Sequence, residues 1–174
     1  KHIEKRLKNE AALNINVLGE AVLGEEEAQQ RHNQTIEMMR RKEVNYVSVK
    51  ISSICSQIIT VDHKGTLERV IEKLREIYKV SVETETFVNL DMEEFRDLRL
   101  TVDAFKILLL EEPFQKLYAG IVLQAYLPES HKVFEELLLW AKDRSLNHGG
   151  KIKIRLVKGA NLEMEKVESE IQGW

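Results

Sequence analysis

Short apolar runs rich in β-branched residues alternate along the chain with longer stretches in which apolar residues recur every three to four positions. The first run covers about Leu13–Leu18, the second Tyr46–Ile51 and the third Thr86–Leu90. The fourth covers about Gly120–Ala125 and the fifth Lys151–Val157. The starts lie roughly 30 to 40 residues apart. Between them the spacing predicts helices. Glu25 to Arg41 opens on acidic residues and closes on Arg40, Arg41 and Lys42, which suits the helix dipole. Thr66 to Tyr78 places Leu67, Val70, Ile71, Leu74 and Ile77 on one face. Glu93 to Leu110 and His131 to Leu146 behave alike, and Asn161 to Ile171 starts a fifth helix. Pro113 and Pro128 fall between elements, where proline does least damage.

Strand–helix alternation predicts an α/β fold with a parallel sheet and right-handed crossovers. A closed barrel and an open doubly wound sheet both satisfy it. At about 35 residues per unit, eight units need about 280 residues, near the size of a (β/α)8 barrel. Five units alone could complete an open sheet. Periodicity leaves the two open.

Composition changes the picture little. The chain has 174 residues, 43% hydrophobic and 32% charged, with a formal net charge of −3. That charge gives no basis for binding nucleic acid or an anionic membrane through this segment. Cys55 is the single cysteine, so an intrachain disulfide is excluded and a reducing, cytoplasmic setting is expected. No apolar stretch approaches the roughly 18 residues of a membrane span, and no segment reads as a signal peptide. The chain starts at Lys1 and ends at Gly173-Trp174, and both ends are expected to be cuts in a longer protein. The five histidines lack metal-ligand spacing. Cys55 and Trp140 read as packing residues, and Glu25-Glu26-Glu27 as a solvated helix start.

The informative residues follow the apolar runs. The first leads to Gly19-Glu20, the second to Lys50, Ser52 and Ser53, and the third to Asp91-Met92-Glu93-Glu94. The fourth carries Gln124 near its end, and the fifth carries Arg155 and leads to Lys158-Gly159-Ala160. Unpaired charges at buried strands cost several kcal/mol. Here they recur at the C-terminal ends of parallel strands, where α/β folds place their active sites. Each also has a structural explanation. Lys50 could snorkel to solvent, Asp91 could cap the next helix, Gln124 could satisfy backbone groups, and Arg155 with Asp91 could be a structural ion pair. Gly159 suits a tight turn, and such a turn beside Lys158 also offers N–H groups to an anion. Recurrence on one face favours function.

These motifs resemble those of proline dehydrogenases. Arg155-Leu156-Val157-Lys158-Gly159-Ala160 resembles the family's strand-five signature, and Asn89-Leu90-Asp91-Met92-Glu93-Glu94 its strand-three motif. Val49-Lys50-Ile51-Ser52 resembles strand two, Val122-Leu123-Gln124-Ala125-Tyr126 strand four, and Leu18-Gly19-Glu20-Ala21 the end of strand one. Order and spacing agree over essentially the whole chain. The similarity is greatest to the proline dehydrogenase domain of bacterial bifunctional proline utilization flavoenzymes.

The resemblance implies an FAD-containing (β/α)8 barrel of which residues 1–174 form about the first five βα units. Such a barrel oxidises L-proline to Δ1-pyrroline-5-carboxylate, passing hydride to flavin N5 and electrons to a quinone. It also implies peripheral membrane association of the full enzyme and a C-terminal aldehyde dehydrogenase domain in the parent chain. Carried over by position, Lys50 would pair with the substrate carboxylate, and Asp91 would organise the pocket. Met92 would line the flavin, Gln124 would hydrogen-bond its ring, and Arg155 would sit near N5. Lys158, Gly159 and Ala160 would contact the cofactor. Cationic and N–H donors would stabilise the charge gained on reduction. Many relatives continue Lys-Gly-Ala with Tyr-Trp, whereas Asn161-Leu162 follows here. The family's late Tyr-x-x-Arg-Arg motif, which binds the substrate carboxylate, does not occur in the sequence. The isolated piece is therefore expected to be inactive. Two alternatives remain: a barrel lyase or aldolase using Lys50 as a Schiff base with Asp91 nearby, and a non-catalytic fragment with open sheet edges.

Overall fold

Five strands form one all-parallel sheet whose spatial order is their order in sequence. The computed structural model describes residues 6, 13–16, 22–59, 61–92, 94–159 and 161–173. The strands are β1 (Ile15–Asn16), β2 (Tyr46–Lys50), β3 (Phe87–Asp91), β4 (Ala119–Gln124) and β5 (Ile152–Val157). The helices are α1 (Glu25–Met39), a single turn α2 (Ile51–Ile54), α3 (His63–Thr84), α4 (Leu98–Leu108), α5 (Glu129–His148) and α6 (Leu162–Gln172).

The sequential order decides what periodicity left open. A doubly wound sheet reverses direction at a switch point, whereas a barrel adds each strand beside the last. Right-handed crossovers that always step the same way put every helix on one face. The sequence obliges: Val47, Val49, Val88, Leu90, Ile121 and Leu123 point to that face and are buried in the core. The alternate positions, on the other face, are mostly polar, among them Ser48, Lys50, Asn89, Asp91, Gln124 and Arg155.

That polar face is concave. Neighbouring strands lie about 4.8 Å apart, so β2 and β5 would stand about 14 Å apart in a flat sheet. Yet the Lys153 ammonium of β5 lies 5.1 Å from the ring centroid of Tyr46 on β2, and 5.7 Å from that of Phe87. The sheet is curled as in a barrel wall.

The helices end where local chemistry stops them. α3 begins earlier than the apolar periodicity predicts, because Asp62 caps it by accepting the Gly65 N–H at 3.0 Å. It buries Val70, Ile71, Leu74, Ile77 and Tyr78 on one stripe. The helix expected from Glu93 starts only at Leu98, after a 3-10 turn at Phe95–Asp97. Asp91 does not cap it: Asp91 ends β3, and its carboxylate points across the sheet to Arg155. The turn α2 directly after Lys50 was not predicted; Ser53 Oγ closes it on the Lys50 carbonyl at 2.8 Å. Cys55 is buried, as expected, and Trp140 packs on the core beside Phe105.

One buried charge holds the lower end together. Arg144 on α5 is 1% exposed and donates to the carbonyls of Leu109, Phe114, Leu117 and Lys151 at 2.8–3.2 Å. It has no carboxylate partner among these contacts, so these carbonyls, with the Trp140 ring whose centroid lies 5.9 Å from the guanidinium, offset its desolvation. Arg144→Met leaves several of them without a donor and is expected to destabilise the fold by about 3 kcal/mol. Urea unfolding of the wild type and variant measures this.

Candidate active site

Two strand-end residues meet across the concave face. Arg155 Nη2 donates to Asp91 Oδ1 at 2.7 Å, joining β5 to β3. Lys50 is the register partner of Asp91 on β2, so three ionisable groups gather at the C-terminal rim. Asn89 Nδ2 donates to the same Asp91 oxygen at 2.6 Å. On β4, Gln124 is buried and its amide donates to the Met92 carbonyl at 3.1 Å, fixing the chain just after β3.

These groups line a cleft of about 400 Å3. Lys50, Asp91, Met92, Gln124, Arg155 and Gly159, all expected from the sequence, contribute to its wall. Lys158 is exposed and does not. Ala160 and the segment Leu18-Gly19-Glu20-Ala21 lie outside the described residues. Asn16, Val122, Val157 and Asn161 join the wall without having been singled out as site residues. Strand alternation signals two of them, since Val122 and Val157 lie two positions from Gln124 and Arg155. The cleft is lined from both β1 and β5, which again requires the sheet to curl. A larger concavity of about 650 Å3 runs along one exposed face of α1, from Glu25 to Glu37. A single helix face converges on nothing, so it is not the site.

The rim beyond β5 is shaped by a glycine. Gly159 has φ of +97°, and a Cβ there would run into the Tyr126 ring and the Gln124 amide. No other residue fits that turn. From α6, Glu165 Oε1 accepts the Phe95 N–H at 2.7 Å, pinning this helix over the strand ends.

The electrostatics of Asp91 are a balance. Burial pushes its carboxyl above the ordinary value. The Arg155 guanidinium opposes this most, followed by hydrogen bonds from Ser48 and Asn89 and the Lys50 charge.

The proline dehydrogenase family profile matches residues 1–174. The chain belongs to the proline dehydrogenase family. Among solved structures, proline utilization A from Corynebacterium freiburgense is 46% identical, with a TM-score of 0.95 over 99% of this chain and 18% of that one. Proline utilization A from Bdellovibrio bacteriovorus, inactivated by N-propargylglycine, is 31% identical, with a TM-score of 0.90 over 99% of this chain and 20% of that one. A Bradyrhizobium japonicum proline utilization A variant, at 20% identity and a TM-score of 0.79 over 92% of this chain and 17% of that one, shows the fold alone. The chain thus spans about a fifth of the length of the first two relatives. No curated protein sequence matches it. The fold is of the proline dehydrogenase barrel type, as the strand order and the sequence motifs both imply.

The charge balance in this family member has a measurable consequence. A carboxyl whose folded pKa lies above its unfolded value binds more protons when folded, so its contribution to stability falls as pH rises through that window. Removing Arg155 takes away the largest influence that keeps Asp91 ionised. Arg155→Met is expected to cost little where the pH is low enough to protonate Asp91 in the fold, and more as the pH rises to neutral. Urea unfolding across this range measures the difference; a cost independent of pH contradicts it.

Proposed function

We propose that this chain supplies the strand-end wall of a proline dehydrogenase active site. The parent protein would oxidise L-proline to Δ1-pyrroline-5-carboxylate with FAD and pass the electrons to a quinone. The observation that carries this reading is the Asp91–Arg155 pair beside Lys50 at the rim of a curled parallel sheet, in a chain of this family.

The wall suits a flavin by its donor set. Arg155 Nε is buried and has no partner among the described residues, although Nη2 is held by Asp91. Arg155 thus keeps donor capacity that its protein partners among the described residues do not use. The left-handed turn at Gly159 keeps side-chain bulk off the neighbouring rim. The flavin, when bound, would accept hydride from the proline carbon next to nitrogen. Arg155 and Gln124 would hold the ring, Met92 would pack against it, and Lys158 with Gly159 and Ala160 would form its outer rim. Lys50 would fix the substrate carboxylate. Asp91 would hold Arg155 in place, so that donors face the developing charge without reorganising.

Residues 1–174 would form the first five βα units, with the remaining strands and a C-terminal aldehyde dehydrogenase domain elsewhere in a bifunctional parent. The isolated chain would be inactive, since its sequence holds no Tyr-x-x-Arg-Arg motif to complete the carboxylate clamp. Among the described residues no helix is long and apolar enough to cross a membrane. We place the parent in the cytoplasm, reaching its quinone by peripheral contact with the membrane.

Lys50→Met in the full-length protein tests the assignment. Loss of one charge-assisted contact to the carboxylate raises KM for proline about 10- to 100-fold, with a smaller change in kcat. Steady-state kinetics with a soluble quinone measures this, and an unchanged KM removes Lys50 from the substrate site.

A further inference from the structure

Asn89 lies two residues before Asp91 on the same face of β3 and is wholly buried. Its amide donates to the oxygen of Asp91 that also receives Arg155. Its own Oδ1 is buried and finds no hydrogen-bond partner among the described residues. An orphaned buried acceptor is unfavourable, and a leucine of similar size would fill the space without one. The surroundings are nevertheless cut to the asparagine. Gly120, its register partner on β4, has no side chain, and a Cβ there would press on Asn89 Oδ1 and on the Phe87 ring.

A second donor reaches Asp91 from β2. The Ser48 side chain favours the ionised form of Asp91, and Ser48 Oγ accepts from Asn14 Nδ2 at 2.9 Å. Accepting from Asn14 leaves the Ser48 hydroxyl its own hydrogen, which the carboxylate can take. Neutral donors from two strands therefore converge on one carboxylate whose charged neighbours are Lys50 and Arg155.

We propose that Asn89, backed by the Asn14–Ser48 pair, is a positioning residue that holds Asp91 ionised and oriented so that Arg155 stays aimed into the cleft. Asn89 touches neither substrate nor cofactor. It acts through Asp91, so the inference rests on the proline dehydrogenase reading of the site. The cations facing Asp91, Lys50 from β2 and Arg155 from β5, remain when Asn89 is replaced, and any change then comes from the lost amide.

The test is Asn89→Leu and Ser48→Ala in the full-length protein, with kcat/KM for proline measured against pH and thermal unfolding recorded alongside. In Asn89→Leu, Tm is retained, kcat/KM at neutral pH falls about tenfold, and the acid limb of the profile moves to higher pH. Ser48→Ala moves the same limb in the same direction by less. A wild-type profile in Asn89→Leu overturns the inference, as does a lowered Tm with an unmoved acid limb. If Asn89→Leu fails to fold, an unmoved limb in Ser48→Ala overturns it. A wild-type protein without proline oxidation overturns both this inference and the proposed function, whereas an active wild type with unaffected variants overturns this inference alone.

Discussion

The 2.7 Å contact between Asp91 and Arg155 is the constraint on which the rest of the site depends. These residues come from strands separated by another, and their contact ties β5 to β3 on the concave side of the sheet. Lys153 over Tyr46 marks the same curvature nearer the other end of the strands. Without the contact a guanidinium and a mostly buried carboxylate would each be short of a partner, which costs more than a packed apolar pair would.

From that curvature follows a division of labour. Barrel interiors are commonly filled with bulky aliphatic side chains. In this wall most aliphatic residues face the helices, and the concave face, Val122 and Val157 apart, carries mainly amides, hydroxyls and charges, several of them paired with one another. The result is a rim whose donors are fixed before any ligand arrives, which is how a protein lowers the reorganisation cost of charge transfer. The helix side can then supply stability almost independently, through the apolar stripe of α3 and the carbonyls gathered by Arg144.

Much of this was legible in the sequence. The described strands lie close to the apolar runs, because period-two burial writes itself directly into residue type. Lys50, Asp91, Gln124, Arg155 and Gly159 were marked as polar or glycine residues at strand ends and Met92 by the family resemblance, and all six reach one cleft. What the sequence hid is lateral. Asn89 and Ser48 look like ordinary polar positions within strands until strand alternation sets Asn89, and the β2–β3 register sets Ser48, on the face that carries Asp91. Nothing in the sequence singles out Arg144 near the end of α5, yet it is buried, because the carbonyls that close around it come largely from distant segments. The helix after β3 was expected too early, since Asp91 looks like a cap until its ion pair is seen.

Anaerobic addition of L-proline to the purified full-length protein, followed at the visible flavin band, tests the central claim most directly. Proline should bleach the band in the wild type, and far more slowly in an Asp91→Ala variant that carries as much flavin. A protein without a flavin band, a band indifferent to proline, or equal bleaching rates in the two proteins would contradict it.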